Sequence, residues 1–167
     1  MRILGVDPGS ETTGYGVIEV EGHRYQLIES GAIRPPRNRP FPQKLLYIAE
    51  RLQGVLDRLR PDAVALEEAF AAINPKSALK LGHVRGVVLL LAARAGVPVY
   101  EYSPLEVKSA TAGYGRAEKL QVQRMVALLL RLSDVPEPHD IADALAVALC
   151  HAHHLRFLER TRERPIG

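Results

Sequence analysis

Apolar positions follow three rhythms along this chain, and each change of rhythm marks an element. Ile3-Leu4-Gly5-Val6 is a continuous apolar run that reads as a central, buried strand and closes on Asp7. Residues 14–21 alternate apolar and polar, Gly22-His23 supplies a turn, and residues 25–34 read as a third strand. Such a meander makes the first three strands antiparallel neighbours. The connector from Pro35 to Pro42 is rich in proline and arginine. Beyond it Leu45, Ile48, Ala49, Leu52, Val55, Leu56 and Leu59 recur at helical spacing, until Arg60-Pro61-Asp62 stops the helix and opens a fourth strand, residues 63–67.

A loop over residues 69–75 ends in Asn74-Pro75, with Pro75 suited to the first position of a helix that runs to about Ala95. Its stretch Gly86 to Ala93 is the longest uninterrupted apolar run and reads as buried helix, being far short of the ~20 residues a membrane span needs. Gly96-Val-Pro98 leads into a fifth strand, residues 99–102. Ser103-Pro104 caps a short helix that carries Lys108. Gly113-Tyr114-Gly115 precedes a helix beginning near Ala117, and Pro136-Glu-Pro138 separates it from a last helix over about residues 139–154. From Arg156 onward four arginines stand against two glutamates, which reads as a basic, flexible tail, solvated or in contact with nucleic acid. The expected organisation is therefore one domain, residues 1–155, and a tail, residues 156–167.

The order β-β-β-α-β-α-β-α-α-α predicts an α/β fold. Strands one, four and five, joined through helices, should be parallel with right-handed crossovers. The result is a mixed five-stranded sheet flanked by helices on both faces. Ligands collect at the carboxyl ends of parallel strands in such sheets, where Asp7 and Glu67 both stand.

Composition narrows the setting. The 167 residues suit a single domain, and 47% hydrophobic with 25% charged residues is ordinary for a globular protein. One cysteine, Cys150, excludes an internal disulfide framework and fits a reducing compartment. With no signal peptide visible after Met1-Arg2, the expected location is the cytoplasm. A net charge of +3 and a pI of about 9.2 lean toward a polyanionic partner.

Against that basic background four acids interrupt or cap apolar elements: Asp7, Glu67, Asp140 and Asp143. A buried carboxylate is costly unless its charge is compensated, and oxygen donors in this number suit Mg²⁺ or Mn²⁺. Asp140 and Asp143, at i and i+3, project from one helical face with Cβ atoms ~5–6 Å apart. That face meets Asp7 and Glu67 if the last helix packs on the sheet. Four such groups can share two ions that clamp the attacking and leaving oxygens of a phosphodiester. Each acid has a plainer explanation when taken alone. Asp140 can complement a helix dipole, and Asp7 can stabilise the Pro8-Gly9 turn. Their joint placement is what points to metal-dependent chemistry on a polyanion.

Asp7-Pro-Gly-Ser10, Thr13-Gly-Tyr-Gly-Val17 and Leu66-Glu67-Glu68-Ala69-Phe70 resemble the RuvC family of Holliday junction resolvases. The match continues in order through Ser77-Ala-Leu-Lys-Leu-Gly82, Arg85-Gly86, Val107-Lys108, Ala117-Glu-Lys119 and Asp140-Ile-Ala-Asp143-Ala-Leu-Ala146, so it covers residue 2 to about 154. The resemblance implies a ribonuclease H-like fold and Mg²⁺-dependent nicking of two opposed strands at a four-way junction, with Mn²⁺ able to substitute. It further implies a homodimer and cooperation with the RuvA and RuvB branch-migration proteins. The catalytic acids it implies are Asp7, Glu67, Asp140 and Asp143. His139 is the alternative occupant of the third position, although the spacing to Asp143-Ala-Leu-Ala selects Asp140.

The same resemblance makes Lys108 and Lys119 the basic residues nearest the cleaved strand. Phe70 is either a wedge or stacking platform for a junction base or an anchor at the sheet edge. Tyr114 is a second stacking candidate. Asn74, Lys76, Lys80 and Arg85 form a group able to meet backbone phosphates, or a solvated face. Gly82 and Gly86 permit close helix approach, within the chain or between two copies. His151, His153 and His154 lack a ligand set for zinc and read as a frayed helix end, with Cys150 a small core residue. Besides a related resolvase or ribonuclease H acting on another nucleic acid, which the Phe70 loop and the extended match disfavour, two rivals remain at this level. One is an actin-like or sugar-kinase-like ATPase, for which 167 residues supply only one of two required subdomains. The other is a noncatalytic junction-binding module, which would have no use for an acidic cluster facing DNA.

Overall fold

Alternation along the first strand decides which face of the sheet each partner takes. In β1 (Arg2–Asp7), Leu4 and Val6 point to one side, Ile3, Gly5 and Asp7 to the other. The computed structural model describes residues 1–68 and 74–162. Strands β2 (Thr13–Glu21) and β3 (Arg24–Ile33) follow antiparallel, then α1 (Phe41–Leu59), β4 (Ala63–Glu67), α2 (Pro75–Ala95) and β5 (Val99–Tyr102). The chain ends in α3 (Pro104–Ala112), α4 (Lys119–Leu129) and α5 (His139–Arg162). The sheet order is β3-β2-β1-β4-β5, with β4 parallel to both β1 and β5. This is the mixed five-stranded sheet that the element order predicted.

Two cores sandwich the sheet. Leu4, Val6, Val17 and Leu66 meet Ile48 and Leu52 of α1 and Val84 and Val88 of α2. Ile3, Ile18 and Ala65 meet Leu145 and Leu149 of α5, with Val126 of α4 and Val107 of α3 closing the layer. Each large aliphatic side chain fully buried this way contributes about 1.5–3 kcal/mol. Local signals fix the helix ends. Asn74 accepts a hydrogen bond from the Ser77 amide at 2.9 Å and Pro75 takes the first turn, while Ser103 and Glu106 form a capping box on α3.

Three expectations need correction. The last helix extends beyond residue 154 to Arg162, so residues 156–162 are helical rather than tail. Arg156 donates to the Tyr25 hydroxyl at 2.7 Å and also meets His23, which ties this extension to β3 and the turn before it. The stretch Gly86 to Ala93 is buried on one side only: Val88, Leu91 and Ala92 are buried, but Leu89 and Leu90 are exposed. The histidines are no frayed end. His151 is fully buried, its Nδ1 2.6 Å from the Tyr102 hydroxyl and its ring stacked on Tyr100, and His153 meets the Ala110 carbonyl oxygen. Cys150 is buried as expected, and burial pushes its thiol up to about 12.

Burial pushes the His151 imidazole down to about 4, with a smaller push from His154. The unfolded chain, titrating near 6.5, therefore takes up this proton first, and stability falls as pH drops from about 6.5 toward 4. The shift corresponds to about 3 kcal/mol. Urea unfolding at pH 7 and pH 4.5 should show the native chain losing about 2–3 kcal/mol more than His151→Gln, which has no proton to gain.

Candidate active site

The parallel register Val6↔Leu66 sets Asp7 and Glu67 side by side at the carboxyl edge of β1 and β4. Both lie on the face that α5 covers, since Gly5 and Ala65, two residues earlier, belong to it. Asp140 and Asp143 arrive from the first turns of α5. Glycines bring the helix that close. A Cβ at Gly14, the cross-strand partner of Asp7, would lie 2.0 Å from the Asp140 carbonyl oxygen, and one at Gly5 would lie 1.9 Å from that of Ala144. All four acids are partly buried. Asp7, Glu67 and Asp143 line a cleft of about 230 Å³ together with Lys108 and Lys119.

The electrostatics identify Asp7 as the strained member. Burial, then Asp143, Asp140 and Glu67, push its carboxyl up to about 7, and Lys119 only partly offsets them. Glu67 is also raised, by burial and by Asp143, against Lys108 and Lys119. Lys119 Nζ lies 3.0 Å from Asp143 Oδ2, and that hydrogen bond holds its ammonium above the usual range. Among the described residues, no three acidic, histidine or cysteine side chains are gathered into a ready-made metal cage. By donor chemistry the set fits a hard divalent cation: four carboxylates, all oxygen, partly buried and short of positive charge.

His139 is exposed and its Nδ1 meets Gln123 Nε2 at 3.0 Å, whereas Asp140 is near enough to raise Asp7. The expected DNA-contact residues scatter. Lys108 and Lys119 flank the acids. Lys76 is exposed on α2, Lys80 is half-buried with its ammonium 5.8 Å from the Phe41 ring centroid, and the Asn74 side-chain oxygen caps that helix. Arg85 has another occupation: its guanidinium donates to the Glu67 carbonyl oxygen at 2.7 Å and pairs with Glu101. Tyr114 is exposed, its hydroxyl 2.6 Å from Gln121 Oε1. Phe70 lies outside the described residues.

A family model described as "Crossover junction endodeoxyribonuclease RuvC" matches residues 3–151. The chain belongs to the RuvC family. A RuvC crossover junction endodeoxyribonuclease of Chloroflexus aurantiacus is 49% identical over 160 residues, covering 96% of this chain and 98% of that protein. One from Desulfitobacterium hafniense is 48% identical over 160 residues, covering 96% and 97%. Among solved structures, Thermus thermophilus RuvC matches with a TM-score of 0.88 at 41% identity, covering 94% of this chain and 96% of that one. The same protein in complex with a Holliday junction substrate matches with a TM-score of 0.90 at 40% identity and the same coverage. The fold is thus the ribonuclease H-like one of RuvC, and membership displaces the ATPase and noncatalytic rivals.

Within this RuvC chain, sequence reasoning missed the residues that aim the acids. Gly5, Gly14 and Gly16 form the flat floor on which α5 rests, and their alternation across β1 and β2 was the available signal. Arg85 fastens the end of β4 through the Glu67 carbonyl, a contact no spacing rule reveals.

Proposed function

We propose that this chain nicks two opposed strands of a four-way DNA junction, with Asp7, Glu67, Asp140 and Asp143 as its catalytic acids and Mg²⁺ as cofactor. The observation that carries the reading is the gathering of these acids at one sheet edge, with Asp7 pushed up to about 7 by burial and by the other three. Mg²⁺ or Mn²⁺ held there supplies positive charge where the attacking and leaving oxygens of a phosphodiester become negative. The chain's own lysines act beside the acids. Lys108 and Lys119 set two ammonium groups along the cleft, where non-bridging phosphate oxygens of an entering strand meet them. Lys76 and Tyr114 are exposed and Lys80 is half-buried, all within reach of a junction arm. Thermus thermophilus RuvC, of the same fold, is solved in complex with a Holliday junction substrate, which supports the same substrate here.

The test is cleavage of a synthetic four-way junction beside linear duplex and RNA–DNA hybrid, with Mg²⁺, Mn²⁺ or EDTA. The junction alone should be cut, and only with a divalent ion. Cleavage that survives EDTA would rule the metal out of the reaction.

A homodimer belongs to the proposal because two opposed nicks need two sites. Leu79, Gly82, Gly86 and Leu90 fall on one stripe of α2; both leucines are well exposed and both glycines face open space. Leu90→Glu should turn the dimer into a monomer by sedimentation velocity and lower paired nicking at least tenfold. A variant that stays dimeric at micromolar concentration would place the interface elsewhere. The proposal also includes cooperation with RuvA and RuvB, as family membership suggests, and residence in the cytoplasm. No described helix is long and apolar enough to cross a membrane.

A further inference from the structure

A cleft of about 760 Å³ opens from the turn that follows Asp7. Glu11 and Thr12 of that turn line one side; Arg34, Pro35, Pro36 and Arg37 of the β3–α1 connector line the other. Register sets the distance. Asp7 pairs with Gly14 and Gly14 with Ala32, so the connector leaves the sheet on the catalytic edge, two strands from Asp7. At about 4.8 Å per strand Ala32 is roughly 10 Å from Asp7, and Arg34, two residues of about 3.3 Å rise further on, is about 12 Å away.

The cleft's charge is positive and unclaimed. Arg34, Arg37 and Arg39 are exposed, and none takes part in the ion pairs found among the described residues. The acid lining the cleft, Glu11, is already neutralised: both its oxygens lie within 3.1 Å of Lys44 Nζ, which holds its carboxyl below the usual range. Elsewhere Arg58 pairs with Glu29, Arg85 with Glu101, and Arg51 lies over the Tyr47 ring; Arg24, Arg60, Arg94, Arg116, Arg124 and Arg131 also lack an ion pair among the described residues, but none of them lines this cleft. Pro35, Pro36 and Pro40 fix φ along the connector, Pro35 is buried, and the Arg39 amide donates to the Pro36 carbonyl at 3.2 Å. Three guanidiniums are therefore held out on a stiff segment, so little ordering entropy opposes their use.

We propose that the connector over residues 34–39 grips the sugar-phosphate backbone of the junction arm that continues from the cleaved strand. Guanidinium forks match phosphate oxygens two at a time. At 3.4 Å of rise per nucleotide, about 12 Å puts the nearest contact about four base pairs from the scissile phosphate. Continuity of the cleft with the Asp7 turn favours the strand being cut over an acidic protein segment. The inference rests on the junction-cutting reading above.

The experiment compares the native chain with Arg34→Ala/Arg37→Ala/Arg39→Ala, and with the triple lysine variant, in junction binding between 50 and 200 mM salt without divalent ions. Three lost phosphate contacts should flatten the slope of log K against log salt by about 2–3 and weaken binding about tenfold or more at the lower salt. The lysine variant should restore the slope. Single-turnover cleavage at saturating protein should stay within threefold. Methylphosphonates placed about three to five nucleotides from the cut should weaken the native chain and leave the alanine variant unaffected. An unchanged slope, or methylphosphonates that weaken both proteins equally, overturns the proposal while junction cutting by the native chain still stands. A native chain that neither binds nor cuts junctions overturns the underlying reading and this one with it. Competition by poly-glutamate stronger than by linear DNA assigns the cleft to an acidic protein and also overturns it.

Discussion

Replacing Asp7 with asparagine should slow single-turnover junction cleavage by about a thousandfold or more, while junction affinity changes only a few-fold. The change is isosteric and removes one anionic oxygen from the site. Losing one ligand's share of transition-state charge stabilisation is worth several kcal/mol, and each 1.36 kcal/mol is tenfold in rate. The basic surface proposed to bind the arms is untouched. A second readout separates catalysis from folding. Because the Asp7 carboxyl is raised from 3.8 to about 7 in the fold, the folded chain binds its proton more tightly than the unfolded chain. Ionised Asp7 therefore costs stability as pH rises from about 4 to 7. Without divalent ions Asp7→Asn should be the more stable protein at pH 7, on the order of a few kcal/mol by urea unfolding. Lost binding together with lost stability would mean that Asp7 serves the fold and not the reaction.

The second large effect should come from two residues with no reactive group. Gly5→Ala would drive a methyl group to 1.9 Å from the Ala144 carbonyl oxygen and 3.0 Å from the Ala148 Cβ. Those are the second and third turns of α5, where Ala144 to Leu149 are fully buried, so the helix cannot yield locally. A loss of about 3 kcal/mol or more is expected, above the usual range for an overpacked core because the clash is with backbone. Gly14→Ala meets Asp140 backbone at 2.0 Å, but at the start of the helix, where the first turn can lift. The lift carries Asp140 and Asp143 away from Asp7 and Glu67. Misplacing reacting groups by about 1 Å costs on the order of a hundredfold in rate. Gly14→Ala should thus lose cleavage about a hundredfold and stability by less than Gly5→Ala. Equal thermal midpoints and near-native cleavage in both variants would show that α5 does not hold the acids against this floor.

These two predictions mark what the chain disclosed before folding and what it did not. The strands and the first four helices were legible because β1 and β4 are continuous apolar runs, α1 repeats its apolar residues at helical spacing, and proline, glycine and capping residues mark the ends. The end of α5 was not: residues 155–162 mix Leu155 and Phe157 with arginines and glutamates, and Arg156 finds its partners at Tyr25 and His23, far along the chain. The acids were legible as charges where apolar runs end. The glycine floor was not, because a missing Cβ matters only when another element's backbone arrives over it. His151 escaped for the same reason: its hydrogen-bond partner and stacked ring come from β5.

The most direct test of junction resolution uses one four-way junction, prepared four times with a different strand end-labelled, and incubated with the native chain and Mg²⁺. Nicks should fall in two opposed strands at symmetry-related positions, with none in the absence of the metal, and a ligase should seal the products without end processing. Nicks in adjacent strands, or equal cutting of linear duplex, would contradict resolution by this site.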